Sequence, residues 1–494
     1  MIPLTLAEVA QATGGKLHDV PDPQARVTGP VVHDSRQVGP GALFAAVVGE
    51  RVDGHDFAER AVADGAVAVL ASRPVGVPAV VVDDVVAGLS LLAHAVTERA
   101  AGTTVVALTG SAGKTSTKDL IAQLLGVLGP TVYTEGSFNN EIGLPLTALK
   151  VADSTRFLVL EMGARHKGDI AHLTGIVRPS IGLVLNVGTA HIGEFGSREG
   201  IAEAKGEMVE ALPEGGSEAT SSVGGGGRRV GGCAVLNADD PLVRAMAART
   251  QARVLYFGES AEAQIRAEDV HLDASGRPGF TLVTPSGSAP VQLRLYGEHH
   301  VSNALAAAAV ATECGMDVKR LAVALGEAGS LSRWRMELTD RPDGVTVIND
   351  AYNANPDSMR AALRALAAIG GRGPGARRTW AVLGEMRELG EDSLAEHDAV
   401  GRLAVRLDIA TLVAVGGREA ACMELGARNE GSWGEESVLV SDVDAAIALL
   451  REQVAPGDVV LVKASRSVGL ERVAEALLAD GVGSNGAGSN GVNA

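Results

Sequence analysis

The sequence predicts an α/β protein of three domains: a small N-terminal α/β domain, a central domain built on a parallel sheet, and a C-terminal Rossmann-like domain. Three observations support this fold class. The chain of 494 residues is too long for a single hydrophobic core. From residue 101 onwards, short β-branched runs alternate with stretches of helical periodicity, which is typical of parallel sheets. A glycine-rich turn at 109–118 joins one of these runs to a helix.

Changes of pattern along the chain set the expected domain boundaries. Residues 251–295 alternate between apolar and polar side chains, which predicts antiparallel strands. The run at 213–232 is low in complexity and predicts a flexible surface loop. The predicted division is 1–100 for the N-terminal domain, 101–332 for the central domain with its insert at 213–232, 333–480 for the C-terminal domain, and 481–494 for a disordered tail.

The turn at 109–118 has the features of a phosphate-binding loop. Glycine lets backbone N–H groups converge on an anion, and the N-terminus of the following helix adds partial positive charge. Leu108 stands where the full pattern has its first glycine, so the match is to a shorter loop. We expect a nucleoside triphosphate here, with Lys114 on the outer phosphates and the Thr115 hydroxyl on Mg²⁺. The predicted nucleotide contacts in the loop are Gly110, Ser111, Ala112, Gly113, Lys114, Thr115 and Ser116.

Two further polar residues follow buried strands of the central domain. Glu161 ends the apolar run at 157–163, and His191 follows the run at 181–188. Ligands of open α/β sheets gather at the carboxyl ends of strands, where the phosphate-binding loop also lies. Glu161 is a suitable hard ligand for Mg²⁺, and His191 completes the shell or binds through a water. The pattern predicts a metal site beside the phosphates.

Composition limits the classes of partner and compartment. The net charge of −17 argues against nucleic acid and anionic membranes, and aromatic residues at 3% are too few for base-stacking platforms. The apolar runs are too short to span a membrane, and the start of the chain lacks the features of a secretory signal. Three widely spaced cysteines favour a reducing compartment. We expect a cytoplasmic protein, a monomer, that acts on small molecules.

Several other residues have two interpretations from the sequence alone. Ser35 and Arg36 follow a short strand, where they suit either a diphosphate or nucleobase contact or an ordinary turn. Lys205, judged by charge, is a solvated lysine on a helix. Asn353 and Asn355 suit either substrate contacts or turn formation.

Taken together, the motifs resemble those of the Mur ligases, ATP-dependent enzymes that form amide bonds in peptidoglycan precursor synthesis. The resemblance covers nearly the whole chain, and its strength lies in the number and order of the matching runs. Ala464 departs from the family, which often has glycine at this position. The matching runs are 109–118, 139–145, 160–164, 186–191, 195–197, 204–207, 303–305, 335–337, 350–356, 383–390 and 462–466.

The resemblance implies roles for individual residues. The implied catalytic residues are Lys114, Lys205 and His191. Beyond the loop, the implied nucleotide contacts are Asn303, Arg335 and Asp350. The implied contacts of the other substrates are Ser35, Arg36, Asn139, Asn140, Tyr352, Asn353 and Asn355. The implied metal ligands are Thr115, Glu161, His191 and Lys205 as its carbamate, which gives a hard cation oxygen ligands in place of a repelling ammonium.

Within the family, residues 352–356 and 384–390 fit the branch that adds a dipeptide. An Asp-Asn-Pro-Arg run typical of the branch that adds the third residue is absent from the sequence. The implied reaction joins D-alanyl-D-alanine to UDP-N-acetylmuramoyl-tripeptide through an acyl phosphate, with ATP and Mg²⁺. A third-residue-adding relative, a folylpolyglutamate synthase and a nucleotide-switched scaffold remain the alternatives. The third residue of the tripeptide stays open.

Overall fold

The computed structural model describes residues 1–49, 51–190, 192–215, 231–371 and 373–483. Its architecture is α/β with three main sheets, which confirms the predicted fold class. Every described strand pairs with strands of its own predicted domain, and on this basis we propose the domain division given above. The predicted His191, most of the predicted insert and most of the predicted tail lie outside the described residues.

The N-terminal domain contains a five-stranded sheet in the order β2-β7-β6-β5-β4, parallel except for β2, and a two-stranded pair of β1 and β3. A capping box starts α1, because the Thr5 hydroxyl accepts from the Glu8 amide while Glu8 accepts from the Thr5 amide. The strands are β1 Leu4–Thr5, β2 Lys16–His18, β3 Arg26–Val27, β4 Val31–Val32, β5 Leu43–Ala45, β6 Ala68–Ala71 and β7 Ala79–Val81. The helices are α1 Leu6–Thr13, α2 Ala58–Ala63 and α3 Val85–Arg99.

The central domain is organised on a nine-stranded sheet in the order β16-β15-β14-β13-β12-β11-β8-β10-β9. The strands are β8 Thr104–Thr109, β9 Thr131–Tyr133, β10 Phe157–Glu161, β11 Ile181–Val184, β12 Cys233–Asn237, β13 Arg253–Gly258, β14 Ile265–Leu272, β15 Pro278–Thr284 and β16 Gly287–Gln292. The helices are α4 Lys114–Leu128, α5 Gly143–Ala148, α6 Asp169–Ile176, α7 Ile192–Phe195, α8 Arg198–Glu210, α9 Pro241–Ala245, α10 His300–Glu313 and α11 Val318–Glu327. Apolar clusters fill both faces of this sheet, and one of them continues into the N-terminal domain.

The antiparallel prediction for 251–295 is only partly right. β13 pairs in parallel with β12 and with the start of β14, whereas β15 and β16 are antiparallel. β13 alternates because its two faces differ in burial, with Leu255 and Phe257 buried on one face and Val254 and Tyr256 only partly buried on the other. The alternating pattern therefore indicates that the strand is half exposed. It does not indicate whether the strand runs parallel or antiparallel to its neighbours.

The C-terminal domain has a six-stranded sheet in the order β17-β18-β22-β19-β20-β21, parallel apart from β17. The sequence did not predict β17, because its residues are mostly polar and exposed. The strands are β17 Glu337–Asp340, β18 Thr346–Asn349, β19 Thr379–Gly384, β20 Thr411–Val415, β21 Ser437–Val440 and β22 Val459–Lys463. The helices are α12 Pro356–Gly370, α13 Ser393–Arg406, α14 Arg418–Glu430, α15 Val443–Gln453 and α16 Glu471–Gly483. The last helix extends three residues beyond the predicted end at 480.

The arrangement of the sheets determines where the candidate site lies. The carboxyl ends of β8 and β10 in the central domain and of β18 and β22 in the C-terminal domain face one cavity of about 1540 Å³. This is the strand edge at which open α/β sheets bind ligands. In the described part of the chain, every helix is too short or too polar to cross a bilayer.

Candidate active site

The cavity brings together most of the residues that the sequence singled out. Gly110, Ser35 and Arg36 are not among its lining residues, and His191 lies outside the described residues. The predicted site residues that line the cavity are Ser111, Ala112, Gly113, Lys114, Thr115, Ser116, Asn139, Asn140, Glu161, Lys205, Asn303, Arg335, Asp350, Tyr352, Asn353 and Asn355.

The phosphate-binding loop is held in shape by a neighbouring strand. β8 ends at Thr109, and α4 begins at Lys114 after Gly113, whose φ of +78° is readily adopted only by glycine. The Asn186 side chain, just after β11, accepts the amide protons of Ser111 and Ala112, both at 2.9 Å. The turn is therefore fixed from outside as well as by its own glycines.

Lys114 occupies the loop in this structure. Its ammonium donates to the Gly110 carbonyl at 2.7 Å. Burial lowers the pKa of Lys114, while the nearby Glu161 carboxylate opposes that change. An ammonium beside a glycine-rich turn and a helix N-terminus is suited to an anionic group, which would replace the carbonyl as its partner.

Oxygen atoms cluster beside Lys114. The Thr115 hydroxyl donates to Glu161 at 2.9 Å, and the Asn139 amide donates to the other Glu161 oxygen at 2.7 Å. Ser137, which the sequence analysis missed, lies 3.0 Å from the Thr115 hydroxyl. Hydroxyl and carboxylate oxygens suit Mg²⁺. Within the described residues no group of three or more His, Cys, Asp or Glu side chains is arranged to hold a metal, so these oxygens fit a cation only as part of a larger set.

Lys205 departs from the solvated lysine that its charge pattern indicated. It lies on α8, is only 3% exposed, and lines the cavity. Burial lowers its pKa well below the usual value, and the nearby Lys114 lowers it further. Neither a hydrogen bond nor an ion pair joins its amine to another described residue in this structure. Burial of this kind favours the neutral form of the amine, which is the form that reacts with CO₂.

Asn303 meets the phosphate-binding loop from α10. Its Oδ1 accepts from the Thr117 hydroxyl at 3.2 Å, and a Cβ added at Gly113 would lie 2.5 Å from the same atom. His299 lines the cavity one turn earlier and stacks on His300 with ring centroids 4.2 Å apart. Burial lowers the pKa of His299 to about 4, so its imidazole is neutral near pH 7.

The linker between the central and C-terminal domains carries Arg335 into the cavity. Its guanidinium reaches the Thr115 and Ser137 hydroxyls, each at 3.3 Å, and stacks 4.3 Å from the centre of the Tyr352 ring. The residues on either side, Trp334 and Met336, have φ values of +59° and +48°. Two left-handed non-glycine residues in so short a stretch indicate local strain, held here by packing.

The C-terminal domain contributes a second charged pair. Lys463, at the end of β22, donates to Asp350 at 2.6 Å and to the Asn353 carbonyl at 2.9 Å. Asn355 caps α12 by accepting from the Ser358 amide, and its side-chain amide lies 3.4 Å from the Ser111 carbonyl. Asn355 therefore serves as a helix cap, and the same residue also reaches the phosphate-binding loop.

Ser35 and Arg36 form a separate feature of the N-terminal domain. Arg36 is 82% exposed and pairs with Asp34 at 2.7 Å. Its hydrogen bonds lower the pKa of Asp34 to about 2. The guanidinium is available to a ligand that approaches from solvent.

Some cavity residues were not predicted as site residues. Four of them, Arg387, Lys463, Ser465 and Arg466, lie in the matching runs 383–390 and 462–466, for which the resemblance implied no role. Local sequence pattern did not predict Asp357 as a site residue, because its hydrogen-bond partner Thr189 lies in the central domain. The unpredicted lining residues include Ser137, His166, His299, Asp357, Arg387, Lys463, Ser465 and Arg466.

This chain is similar to known proteins over most of its length. The family models called Mur ligase family, catalytic domain; Mur ligase middle domain; and Mur ligase, glutamate ligase domain match residues 30–102, 108–311 and 334–466. A UDP-N-acetylmuramoyl-tripeptide–D-alanyl-D-alanine ligase from Mycobacterium tuberculosis is 51% identical, with 97% of this chain and 98% of the relative aligned. The chain belongs to the Mur ligase family. The corresponding ligase of Escherichia coli is 35% identical to this Mur ligase over 97% of the chain and 100% of the relative.

Solved structures resemble this Mur ligase over nearly its full length. A crystal structure of MurF from Acinetobacter baumannii has a TM-score of 0.83 at 32% identity, covering 97% of this chain and 99% of that one. MurF ligase from Thermotoga maritima in complex with ADP has a TM-score of 0.76 at 31% identity, covering 92% and 98%. The predicted family resemblance is confirmed.

Proposed function

We propose that this Mur ligase joins D-alanyl-D-alanine to UDP-N-acetylmuramoyl-tripeptide, with ATP converted to ADP and phosphate, in peptidoglycan precursor synthesis. One observation carries the proposal: the phosphate-binding loop, the Thr115–Glu161 pair and the buried Lys205 face a single cavity that the C-terminal domain closes. The 51% identity to a relative named for this reaction supports the choice of substrates.

The first step activates a carboxylate. An oxygen of the terminal carboxylate of the tripeptide attacks the γ-phosphorus of ATP, forming a C–O–P linkage, and the bond to ADP breaks. Loop amides and the Lys114 ammonium bind and orient the phosphates and neutralise their charge, which is most of what a protein contributes to phosphoryl transfer. The amine of the dipeptide then attacks the acyl carbon, a proton is lost, and phosphate leaves. Because water would hydrolyse the acyl phosphate, closure of the cavity around the bound substrates would favour the amine.

Mg²⁺ fits the oxygen donors beside the loop. Thr115, Glu161, His191 and Lys205 as its carbamate would hold it, where it would neutralise phosphate charge. Forming that carbamate joins the neutral Lys205 amine to CO₂ with loss of one proton, so the depressed pKa of Lys205 favours it.

The remaining predicted contacts divide between the substrates. Asn303, Arg335 and Asp350 are assigned to the nucleotide, and Ser35 and Arg36 to the uridine diphosphate end of the first substrate. The residues assigned to the peptide and the acceptor are Asn139, Asn140, Tyr352, Asn353 and Asn355. These small-molecule substrates, with ATP among them, are the reason for placing the enzyme in the cytoplasm, and we infer that it acts as a monomer.

An isotope experiment tests the reaction. A tripeptide substrate labelled with ¹⁸O in its terminal carboxylate should transfer one labelled oxygen to the released phosphate, because the carboxylate oxygen stays on phosphorus. Unlabelled phosphate would contradict an acyl phosphate. Phosphate release should rise with D-alanyl-D-alanine and not with diaminopimelate, lysine or glutamate. A response to one of those acceptors would instead favour a third-residue-adding relative or a folylpolyglutamate synthase. ATP hydrolysis without ligated product would favour a scaffold.

A further inference from the structure

The segment after β11 is held from two sides. Inside the central domain, Asp240 accepts the Val187 amide proton at 2.8 Å and Arg198 donates to the Val187 carbonyl at 2.7 Å. The next two residues face the C-terminal domain, where Asp357 accepts the Thr189 amide proton at 3.2 Å. One end of the segment is therefore anchored within its own domain and the other depends on a partner across the cavity.

Asp357 approaches Gly188 so closely that any larger residue at position 188 would have to displace the Asp357 side chain. A Cβ added at Gly188 would lie 2.0 Å from Asp357 Oδ2, a distance that side chains cannot adopt. A second close approach follows at α7, where a Cβ on Gly193 would lie 3.0 Å from the Gly390 nitrogen. The C-terminal domain thus packs directly on the backbone of this segment at two places.

Asp357 is itself held rigidly. It lies in the first turn of α12, where the helix N-terminus favours a carboxylate. Arg360 donates to its other oxygen at 2.8 Å and pairs with Glu396 at 3.2 Å. Asn355 caps the same helix, and its side-chain amide lies 3.4 Å from the Ser111 carbonyl. One helix N-terminus of the C-terminal domain therefore touches both the phosphate-binding loop and the segment after β11.

We propose that Asp357 is a positioning residue: by accepting the Thr189 amide proton, it fixes the segment after β11 only when the C-terminal domain closes over the phosphate-binding loop. This inference rests on the proposed function for its effect on turnover, but its structural part stands independently. The segment flanks the strand end at which the phosphates are expected, so its order is coupled to domain closure.

Amide hydrogen exchange of the full-length protein tests the contact directly. In Asp357→Ala we expect the Thr189 amide to exchange about tenfold faster or more, the effect of losing a hydrogen bond to a charged group. The matched control is Asp444→Ala, because Asp444 holds the same first-turn position in α15, pairs with Arg472, and is exposed. Unchanged exchange at Thr189, or an equal increase in the control, would overturn the proposal.

A double-mutant cycle tests the coupling to turnover. Gly188→Ala should lower kcat several-fold in the wild-type background, because its methyl group displaces Asp357. In the Asp357→Ala background the same substitution should have little further effect. Equal losses in both backgrounds would contradict the inference. If the wild-type protein lacks ligase activity but its Thr189 exchange still depends on Asp357, the proposed function is wrong and the contact is supported.

Discussion

At the scale of single residues, two amines of the cavity, those of Lys114 and Lys205, have different surroundings. Lys114 donates to a backbone carbonyl and lies near Glu161, whereas no described residue pairs with Lys205. Burial lowers the pKa of both, and for Lys205 the nearby Lys114 adds to the effect. A lysine whose pKa is strongly lowered beside a second cation is suited to modification and not to holding an anion.

Replacing Lys205 tests whether it acts as a carbamate. We expect Lys205→Ala to lower kcat by roughly 10²–10³-fold, the effect of losing a preorganised group at developing charge. Formate or acetate should restore part of the activity, because a small carboxylate supplies the oxygens that the carbamate provides. Lys167→Ala is the control, since Lys167 is 72% exposed and pairs with Glu203, a residue of the helix α8 that also carries Lys205. Absence of rescue would count against the carbamate, as would the lack of a carbamate ¹³C signal in wild-type protein supplied with labelled bicarbonate.

His299 predicts a dependence of stability on pH. Its pKa falls from 6.5 to about 4 on folding, mainly through burial. Between these values the unfolded chain binds a proton that the folded chain does not, so the free energy of unfolding falls as pH falls. The loss from this group is complete below pH 4 and amounts to roughly 3 kcal/mol at most. His299→Gln should flatten the pH dependence of unfolding between pH 6.5 and 4, and its stability at pH 7.5 reports any loss of packing. An unchanged slope would contradict the prediction.

At the scale of elements, the start of α4 is committed to function and the rest of the helix to packing. Gly113→Ala should lower nucleotide affinity tenfold or more, because position 113 is left-handed and an added methyl group meets Asn303. Gly126→Ala on the same helix is the control, since nothing lies within 4 Å of the added methyl group. That change should raise the free energy of unfolding by about 1 kcal/mol without altering affinity. Calorimetric titration with an ATP analogue and denaturant unfolding measure the two effects, and equal affinities would contradict the role of Gly113.

At the scale of the whole molecule, the N-terminal domain is expected to act at a distance from the chemistry. Arg36 does not line the cavity and is open to solvent. Arg36→Ala should raise KM for the uridine nucleotide substrate about tenfold, the effect of losing one charged hydrogen bond, while KM for ATP and kcat stay unchanged. Steady-state kinetics with each substrate varied in turn provide the measurement. A parallel rise in KM for ATP would show that the two sites are not separate.

Local pattern determined much of this protein. The three α/β units, the phosphate-binding loop and the helix that follows it were predictable, because glycine placement and hydrophobic period are properties of neighbouring residues. The positions of Lys114 and Thr115 at the start of α4, and of Glu161 at the end of β10, followed from the same rules. Local pattern did not predict β17, because its residues are mostly polar. At β13 the alternating pattern indicated partial exposure, but the predicted antiparallel direction was wrong.

Tertiary structure alone decided which residues meet across domains. Arg335 reaches Thr115 over 220 positions of sequence, and Asp357 reaches Thr189 over 168. It also decided the character of Lys205, whose sequence neighbours are those of a solvated lysine while its surroundings bury it. The physical reason is that burial, pKa and hydrogen-bond partners depend on which surfaces pack together, and no periodicity within one segment encodes the other side of a contact.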